Sequence, residues 1–281
     1  MSGHEIEARR EKPTLVVGAT GKTGRRVAER LAKAGLCVRE GSRRAERPFD
    51  WEDEATWGRA LEGVGAAYVT YYPDLAAPGA VEKIGAFAAA ALAQGVRRIV
   101  LLSGRGEPEA EAAEQALMAS GADWTILRCA WFMQNFSESF MAEGVAAGEL
   151  ALPAGDVPEP FVDCDDIADA AFAALTQEGH VGALYELTGP RALTFREAAE
   201  EIAVARGAAV AYVRVPLEDY AAEMRAHDAP AEMVDLVVYL FGTVLDGRNA
   251  RVTGGAERAL GRRPADFRDY AARVAAAGGW G

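Results

Sequence analysis

The stretch Leu15-Val16-Val17-Gly18-Ala19-Thr20-Gly21-Lys22-Thr23-Gly24-Arg25-Arg26-Val27 decides the fold. Leu15 to Val17 is a short apolar run of β type, and a glycine-rich turn follows at once. Val27, Ala28, Leu31 and Ala32 then carry the spacing of a helix face. Strand, glycine turn, helix is the order that holds a dinucleotide. Gly18 permits the tight turn, Gly21 lets backbone approach a pyrophosphate, and Gly24 lets the helix pack close to the strand. Thr20, Lys22 and Thr23 complete this phosphate-binding set, because the helix N-terminus presents N–H groups and a positive dipole end. The spacing is Gly-x-x-Gly-x-x-Gly, which a plain glycine turn between strand and helix would also produce. A P-loop needs a glycine five residues before Gly21, and Val16 stands there.

A second short strand, Leu36 to Glu40, ends in Gly41-Ser42-Arg43-Arg44. In dinucleotide folds this strand end meets the adenosine ribose. An acid there suits the 2′-hydroxyl of NAD, and an arginine suits the 2′-phosphate of NADP. Ser42 and Arg43 therefore favour NADP(H), while Glu40 keeps NAD(H) open. Pro48 to Trp51 is expected to be a third strand with Asp50 or Trp51 near the adenine. Gly65 to Pro73 is a fourth strand whose end carries Tyr71 and Tyr72 as candidate cofactor walls. A helix over 78–94 and a fifth strand over 97–103 follow, ending in Ser103-Gly104-Arg105. Then come a helix over 109–120 and a sixth strand over 124–128. This rhythm predicts an α/β fold of Rossmann type, a doubly wound parallel sheet with right-handed crossovers.

The second half is less regular. Helices are expected over 131–144, 167–176, 194–206, 218–226, 230–245 and 264–277, with strands near 184–187 and 210–215 and a loop-rich stretch over 148–160. Thr194 with Glu197 reads as a capping box, and Asp165 or Asp166 as an N-cap. Residues 233–245 read as a buried helix roofing a substrate cavity. The division expected is a disordered tail over 1–12, a dinucleotide-binding core over 13–150, and a stretch over 151–281. That last stretch completes the sheet and forms a smaller C-terminal α/β substrate lobe, mostly helical.

Composition narrows the classes. The chain of 281 residues carries a net charge of −12, a poor match for a nucleic-acid backbone. No run reaches the ~18 apolar residues of a membrane span, and residues 1–12 lack the apolar region of a secretion signal. Cys37, Cys129 and Cys164 are far apart in apolar or strand-like contexts, as buried free thiols of a cytoplasmic protein would be. The three histidines show no metal-ligand spacing. The acids at 163, 165, 166 and 169 read as capping and surface charge, so no metal site is expected.

Gly18-Ala19-Thr20-Gly21-x-x-Gly24, the segment from Ala113 through Arg128, Trp131-Phe132-x-Gln134-Asn135-Phe136, Phe161-Val162-Asp163 and Tyr185-Glu186-Leu187-Thr188-Gly189-Pro190 together resemble the NmrA-like branch of the atypical short-chain dehydrogenase/reductases. The resemblance runs from about residue 13 to the end. It implies an NAD(P)H-dependent enzyme akin to quinone reductases and ergot-type iminium reductases. It equally implies an alternative, a non-catalytic NAD(P)-binding redox sensor acting through a protein partner.

Typical short-chain dehydrogenases protonate substrate oxygen with a tyrosine activated by a lysine four residues on. No tyrosine here has that lysine, and no lysine follows Lys83. Ketone reduction needs a proton or an oxyanion site. Iminium reduction yields a neutral amine, and quinone reduction a stabilised phenolate. The expected acceptor is therefore a small imine or iminium, quinone or related carbonyl compound. Ser103, Trp131 and Asn135 are the catalytic candidates. Ser103 and Gly104 also border the cofactor, and Arg105, Trp131, Phe132 and Tyr239 are candidates for the substrate pocket. A monomer or homodimer with a small-molecule substrate is expected.

Overall fold

The computed structural model describes residues 12–280; the tail expected over 1–12 falls outside them except for Lys12. In chain order the elements are β1 (Thr14–Val17), α1 (Lys22–Lys33), β2 (Val38–Gly41), α2 (Ala55–Leu61), β3 (Ala66–Val69), α3 (Ala80–Ala93), β4 (Arg98–Gly104), α4 (Pro108–Ala119) and β5 (Asp123–Cys129). They continue as α5 (Asn135–Glu138), α6 (Met141–Ala147), β6 (Glu149–Leu152), α7 (Cys164–Thr176), β7 (Ala183–Leu187), α8 (Phe195–Arg206) and β8 (Ala211–Arg214). The last helices are α9 (Leu217–Ala226), α10 (Ala231–Tyr239) with a π-turn over Leu240–Val244, α11 (Gly255–Leu260) and α12 (Phe267–Ala276).

Six strands form one sheet in the order β2-β1-β3-β4-β5-β7. Pairing is parallel from β2 through β5, with Val16 beside both Glu40 and Tyr68, and Tyr68 beside Val100. The strand order reverses between β1 and β3, the switch point outside whose carboxyl ends such sheets bind ligands. β1 and β3 are buried along their whole length, because helices cover both faces of a parallel sheet and leave no polar side. This is the doubly wound α/β fold that the sequence implies.

The described residues divide into two compact units. One holds the chain through Cys129 with Cys164–Glu186 and Arg258–Gly261; the other holds Ala130–Asp163, Leu187–Glu257 and the segment from Arg262. The boundary expected at 150 is thus corrected. The chain leaves the first unit after β5, then returns to give it α7 and most of β7. Arg30 on α1 pairs with Asp165 at 2.9 Å and Asp169 at 2.5 Å on α7, which accounts for two of the four clustered acids. The buried Arg98 of β4 donates to the carbonyls of Ala174 and Gln177 at the end of α7, at 2.6 and 3.0 Å.

The second unit has its own core, in which Phe136, Phe161, Phe195, Phe267 and Tyr270 meet. The rings of Phe161 and Phe195 lie 5.0 Å apart, edge to face. Its two-stranded sheet pairs β6 with β8 in parallel. Asp163 accepts from Gln134 at 2.7 Å and pairs with Arg273.

Several expectations are corrected. Residues 48–51 are not a strand. Phe49 and Trp51 wedge against Trp57 and Phe87, and the Trp51 indole donates to the Thr70 carbonyl at 3.1 Å. The helix expected over 131–144 is broken into α5 and α6, and the 148–160 loop contains β6. Helix α7 begins at Cys164, so Asp165 and Asp166 sit in its first turn rather than at its cap. Residues 233–245 are only partly buried, and α11 was not anticipated. Cys129 and Cys164 are buried free thiols, whereas Cys37 is exposed. Among the described residues no helix is long and apolar enough to cross a membrane.

Candidate functional site

The glycine turn closes on itself and on the sheet. The Gly18 N–H donates to the Gly41 carbonyl at 2.9 Å, and the Gly21 N–H to the Gly18 carbonyl at 2.9 Å. Gly18 has φ +73°, and a Cβ there would sit 2.2 Å from Thr70 Oγ1. That hydroxyl donates to the Val17 carbonyl at 3.1 Å, fastening the turn to the end of β3. A Cβ on Gly24 would meet the Gly18 carbonyl oxygen at 2.1 Å, so α1 enters as close to the turn as backbone allows. Only glycine satisfies either position.

Helix α1 starts at Gly21 without a side-chain cap and without an acid in its first turn. By contrast α4, α8 and α9 each carry acids there. An uncapped N-terminus leaves backbone donors and the positive dipole end for an anion. Thr20 and Gly21 are exposed, Lys22 is half-buried and Thr23 is buried. This uncapped turn, held tight by Gly18 and Gly24, fits a dinucleotide pyrophosphate.

β2 ends at Gly41, so Glu40 lies within the strand and Ser42-Arg43-Arg44 lie beyond it. Four arginines surround this end and divide into two pairs. Arg39 donates to the carbonyls of Ala60 and Glu62, and Arg47 pairs with the Glu62 carboxylate at 2.8 Å. Arg43 and Arg44 are exposed, and no described side chain engages either. Asp50 is half-buried in the neighbouring loop, where its carboxylate accepts from the Glu52 N–H at 3.1 Å. Tyr71 packs on Trp51 at 4.9 Å, and Tyr72 beside it is 70% exposed.

Ser103 and Arg105 lie at the carboxyl end of β4 as expected, and both are engaged within the protein. Ser103 is buried, and its hydroxyl donates to Glu114 Oε1 at 2.6 Å. In this arrangement its proton is turned towards Glu114. Glu114, 0% exposed, also accepts both prongs of the Arg128 guanidinium. Arg105 is buried with its Nε 3.7 Å from Glu186, which lies at the same distance from Arg128. Ser103, Arg105, Glu114, Arg128 and Glu186 form one charge-compensated network that ties together the ends of β4, β5 and β7. Such buried ion pairs hold only when each member is bonded.

One group at these strand ends is not evident from the sequence. Glu107 precedes Pro108 of α4, and its carboxyl lies directly over Gly104. A Cβ on Gly104 would meet the carboxyl atoms of Glu107 at 2.3–2.5 Å. Glu107 is 6% exposed and hydrogen-bonded to Asp74 from the loop after β3, and its Oε2 is buried without a partner. Burial, and next the charge of Asp74, push the Glu107 carboxyl up to about 9. A signal was present: an acid ahead of Pro108 marks a helix entrance. Nothing local shows that Gly104 gives it a seat.

The other expected pocket residues belong to the second unit. Trp131 is half-buried against Phe195 and Phe241 at 5.5 and 5.0 Å, so much of its surface is core. Phe132 bridges to Val162, Asn135 opens α5, and Tyr239 closes α10 half-exposed.

A family of NAD(P)H-binding domains matches residues 18–178. The chain is 34% identical to the (4-alkanoyl-5-oxo-2,5-dihydrofuran-3-yl)methyl phosphate reductase of Streptomyces griseus, over 94% of this chain and 98% of that protein. It is 30% identical to an NAD(P)H azoreductase of Xenophilus azovorans, over 94% of this chain and 99% of that protein. The fold is shared with the NADPH complex of an NADPH-dependent quinone oxidoreductase of Escherichia coli, with TM-score 0.74, 23% identity, and coverage of 93% of this chain and 99% of that one. The uncapped glycine cradle and these likenesses agree: the chain belongs to the NAD(P)H-binding family and is an NAD(P)H-dependent reductase.

Proposed function

We propose that this reductase uses NADPH to reduce a small imine or iminium, quinone or related conjugated carbonyl acceptor. The carrying observation is the pairing of an uncapped glycine cradle with two arginines just past β2 that no described side chain engages. The turn from Gly18 through Gly24, with Thr20, Lys22 and Thr23, holds the pyrophosphate by backbone donors and the helix end. Ser42 and Arg43 take the ribose 2′-phosphate, with Arg44 beside them. Glu40, drawn into β2, does not compete for a 2′-hydroxyl. When bound, the reduced nicotinamide supplies a hydride.

The acceptor class follows from what the chain lacks. Without a tyrosine–lysine pair, a simple ketone has no usual proton donor. Acceptors whose reduced form is neutral or delocalised need mainly positioning. The names of the azoreductase and dihydrofuranone reductase relatives support a small unsaturated acceptor. The test mixes the purified chain and NADPH with quinones, cyclic imines, iminium salts and azo compounds while nicotinamide absorbance is followed. Oxidation of NADPH by at least one class is expected. No turnover, with tight and redox-selective NADP binding by calorimetry, would replace this reading with that of a sensor.

A further inference from the structure

We propose that Glu107, seated over Gly104 and hydrogen-bonded to Asp74 at the carboxyl ends of β4 and β3, is the general acid that protonates a neutral acceptor during reduction. This rests on the reductase reading above. Three independent features place it. The carboxyl ends of these strands are where an open α/β sheet binds ligand. Gly104 leaves a slot that only a residue without a Cβ provides, and the Glu107 carboxyl fills it. The Oε2 atom is buried and unpartnered, so its hydrogen-bonding capacity is unused in the protein itself. Natural structures rarely leave such an atom idle without a role.

The carboxyl is built to hold a proton at neutral pH. The titratable groups facing it are Asp74 from the β3 loop and Glu109 and Glu114 from α4, all acidic. With burial, they keep Glu107 protonated near pH 7. Glu114 is compensated by Arg128, and Asp74 exerts the largest charge effect on Glu107. Asp74 is only half-buried, and its Oδ1 accepts from the Ala76 N–H at 2.9 Å. It thus links the Glu107 proton with solvent.

The step balances with groups already named. Hydride arrives at one atom of a C=N, N=N or conjugated C=C–C=O system, and the electron pair of the broken π bond moves to the other end. That end takes the proton from Glu107, whose O–H bond breaks to leave a carboxylate. Solvent returns the proton to it. A cationic iminium needs no such proton, since hydride alone gives the neutral amine. The inference therefore assigns a proton donor to the neutral acceptors within the proposed range.

The experiment compares wild type with Glu107→Gln on a neutral azo arene and an N-alkyl cyclic iminium salt, both with NADPH. The ratio of kcat on the neutral acceptor to kcat on the cation should fall about 100-fold in the variant, the usual scale of general acid catalysis. In wild type the neutral-acceptor rate should decline above about pH 9 and carry a solvent deuterium isotope effect absent from the cation. An unchanged ratio, from equal loss on both or loss on neither, overturns the proposal. Infrared spectroscopy supplies a readout without turnover. Wild type at pH 7 should show a protonated-carboxyl C=O band missing from Glu107→Gln; its absence from wild type also overturns the proposal. If wild type binds NADPH but reduces nothing, the reductase reading fails, while the infrared band still decides whether Glu107 holds a proton.

Discussion

Gly24 shows how a single atom constrains the site. An added methyl would meet the Gly18 carbonyl oxygen at 2.1 Å, and both partners are backbone. Relief requires α1 to move, and overpacking of this kind costs about 1–3 kcal/mol. Gly24→Ala should lower the urea midpoint and weaken NADPH binding by roughly tenfold or more, measured by calorimetry. Arg43 has no partner among the described residues, so Arg43→Ala should leave stability unchanged. It should weaken NADPH by about 10- to 100-fold, the scale of a charge-assisted hydrogen bond, and leave NADH unaffected. An equal effect on both cofactors would place Arg43 away from the 2′-phosphate. Glu107 makes a pH prediction. Its folded-state affinity for a proton exceeds that of the unfolded chain, so the folded state binds more protons between the ordinary carboxyl range and about pH 9. Stability from this group is then present below that window and lost as pH rises through it, at up to ~1.4 kcal/mol per pH unit. Urea denaturation at about pH 5.5 and about pH 8.5 should show wild type losing more stability than Glu107→Gln over that interval. The turn from Gly18 to Gly24 was legible because its spacing is local. Ser103 and Arg105 were placed at the right strand end, yet sequence does not show that Glu114 and Glu186 bind them. Glu107 stayed hidden because its seat on Gly104 and its contact with Asp74 join two strand ends.

Among the elements, those with local signals were readable and those fixed by distant contacts were not. Helix α8 is the clearest case. Thr194 accepts from the Glu197 N–H at 3.1 Å, and the Glu197 carboxylate accepts from the Thr194 N–H at 2.8 Å, as the capping box requires. Thr194→Ala removes one side of this box and should cost about 1 kcal/mol in thermal or urea unfolding. The hydrogen bonds from Thr194 also hold Glu197 below the usual glutamate range. Their contribution is therefore present above that range and lost on acidification through it, so the penalty of Thr194→Ala should shrink at acid pH. β6 was missed for the opposite reason. Its four residues pair with Ala211–Arg214, far along the chain, inside a stretch rich in turn residues. The spurious strand at 48–51 had apolar bulk, but its aromatic rings pack on one another and its neighbours instead of joining a ladder. Aromatic density marks burial, and burial alone does not distinguish strand from loop.

At the scale of the molecule, the two units each have a core of their own, and the glycine cradle belongs to the first. The sequence division at residue 150 followed the order of the chain, whereas α7 and most of β7 return to the first unit after an excursion. Local periodicity marks each element but not which core receives it. A ligand that binds only the folded cradle stabilises it by mass action, about 2.7 kcal/mol at a hundredfold excess over Kd. For a chain of this size that raises the midpoint of the transition containing the cradle by roughly 5 °C. Calorimetric scans with NADPH should show this rise, and NADH at the same concentration should give a smaller one. Arg43→Ala should reduce the NADPH shift to the NADH value, whereas Gly24→Ala should reduce both. The difference between the two variants follows from the proposed roles, in which Arg43 meets only the 2′-phosphate and Gly24 shapes the turn that both cofactors share. If Arg43→Ala and Gly24→Ala gave the same pattern, recognition of the 2′-phosphate would not reside at the end of β2.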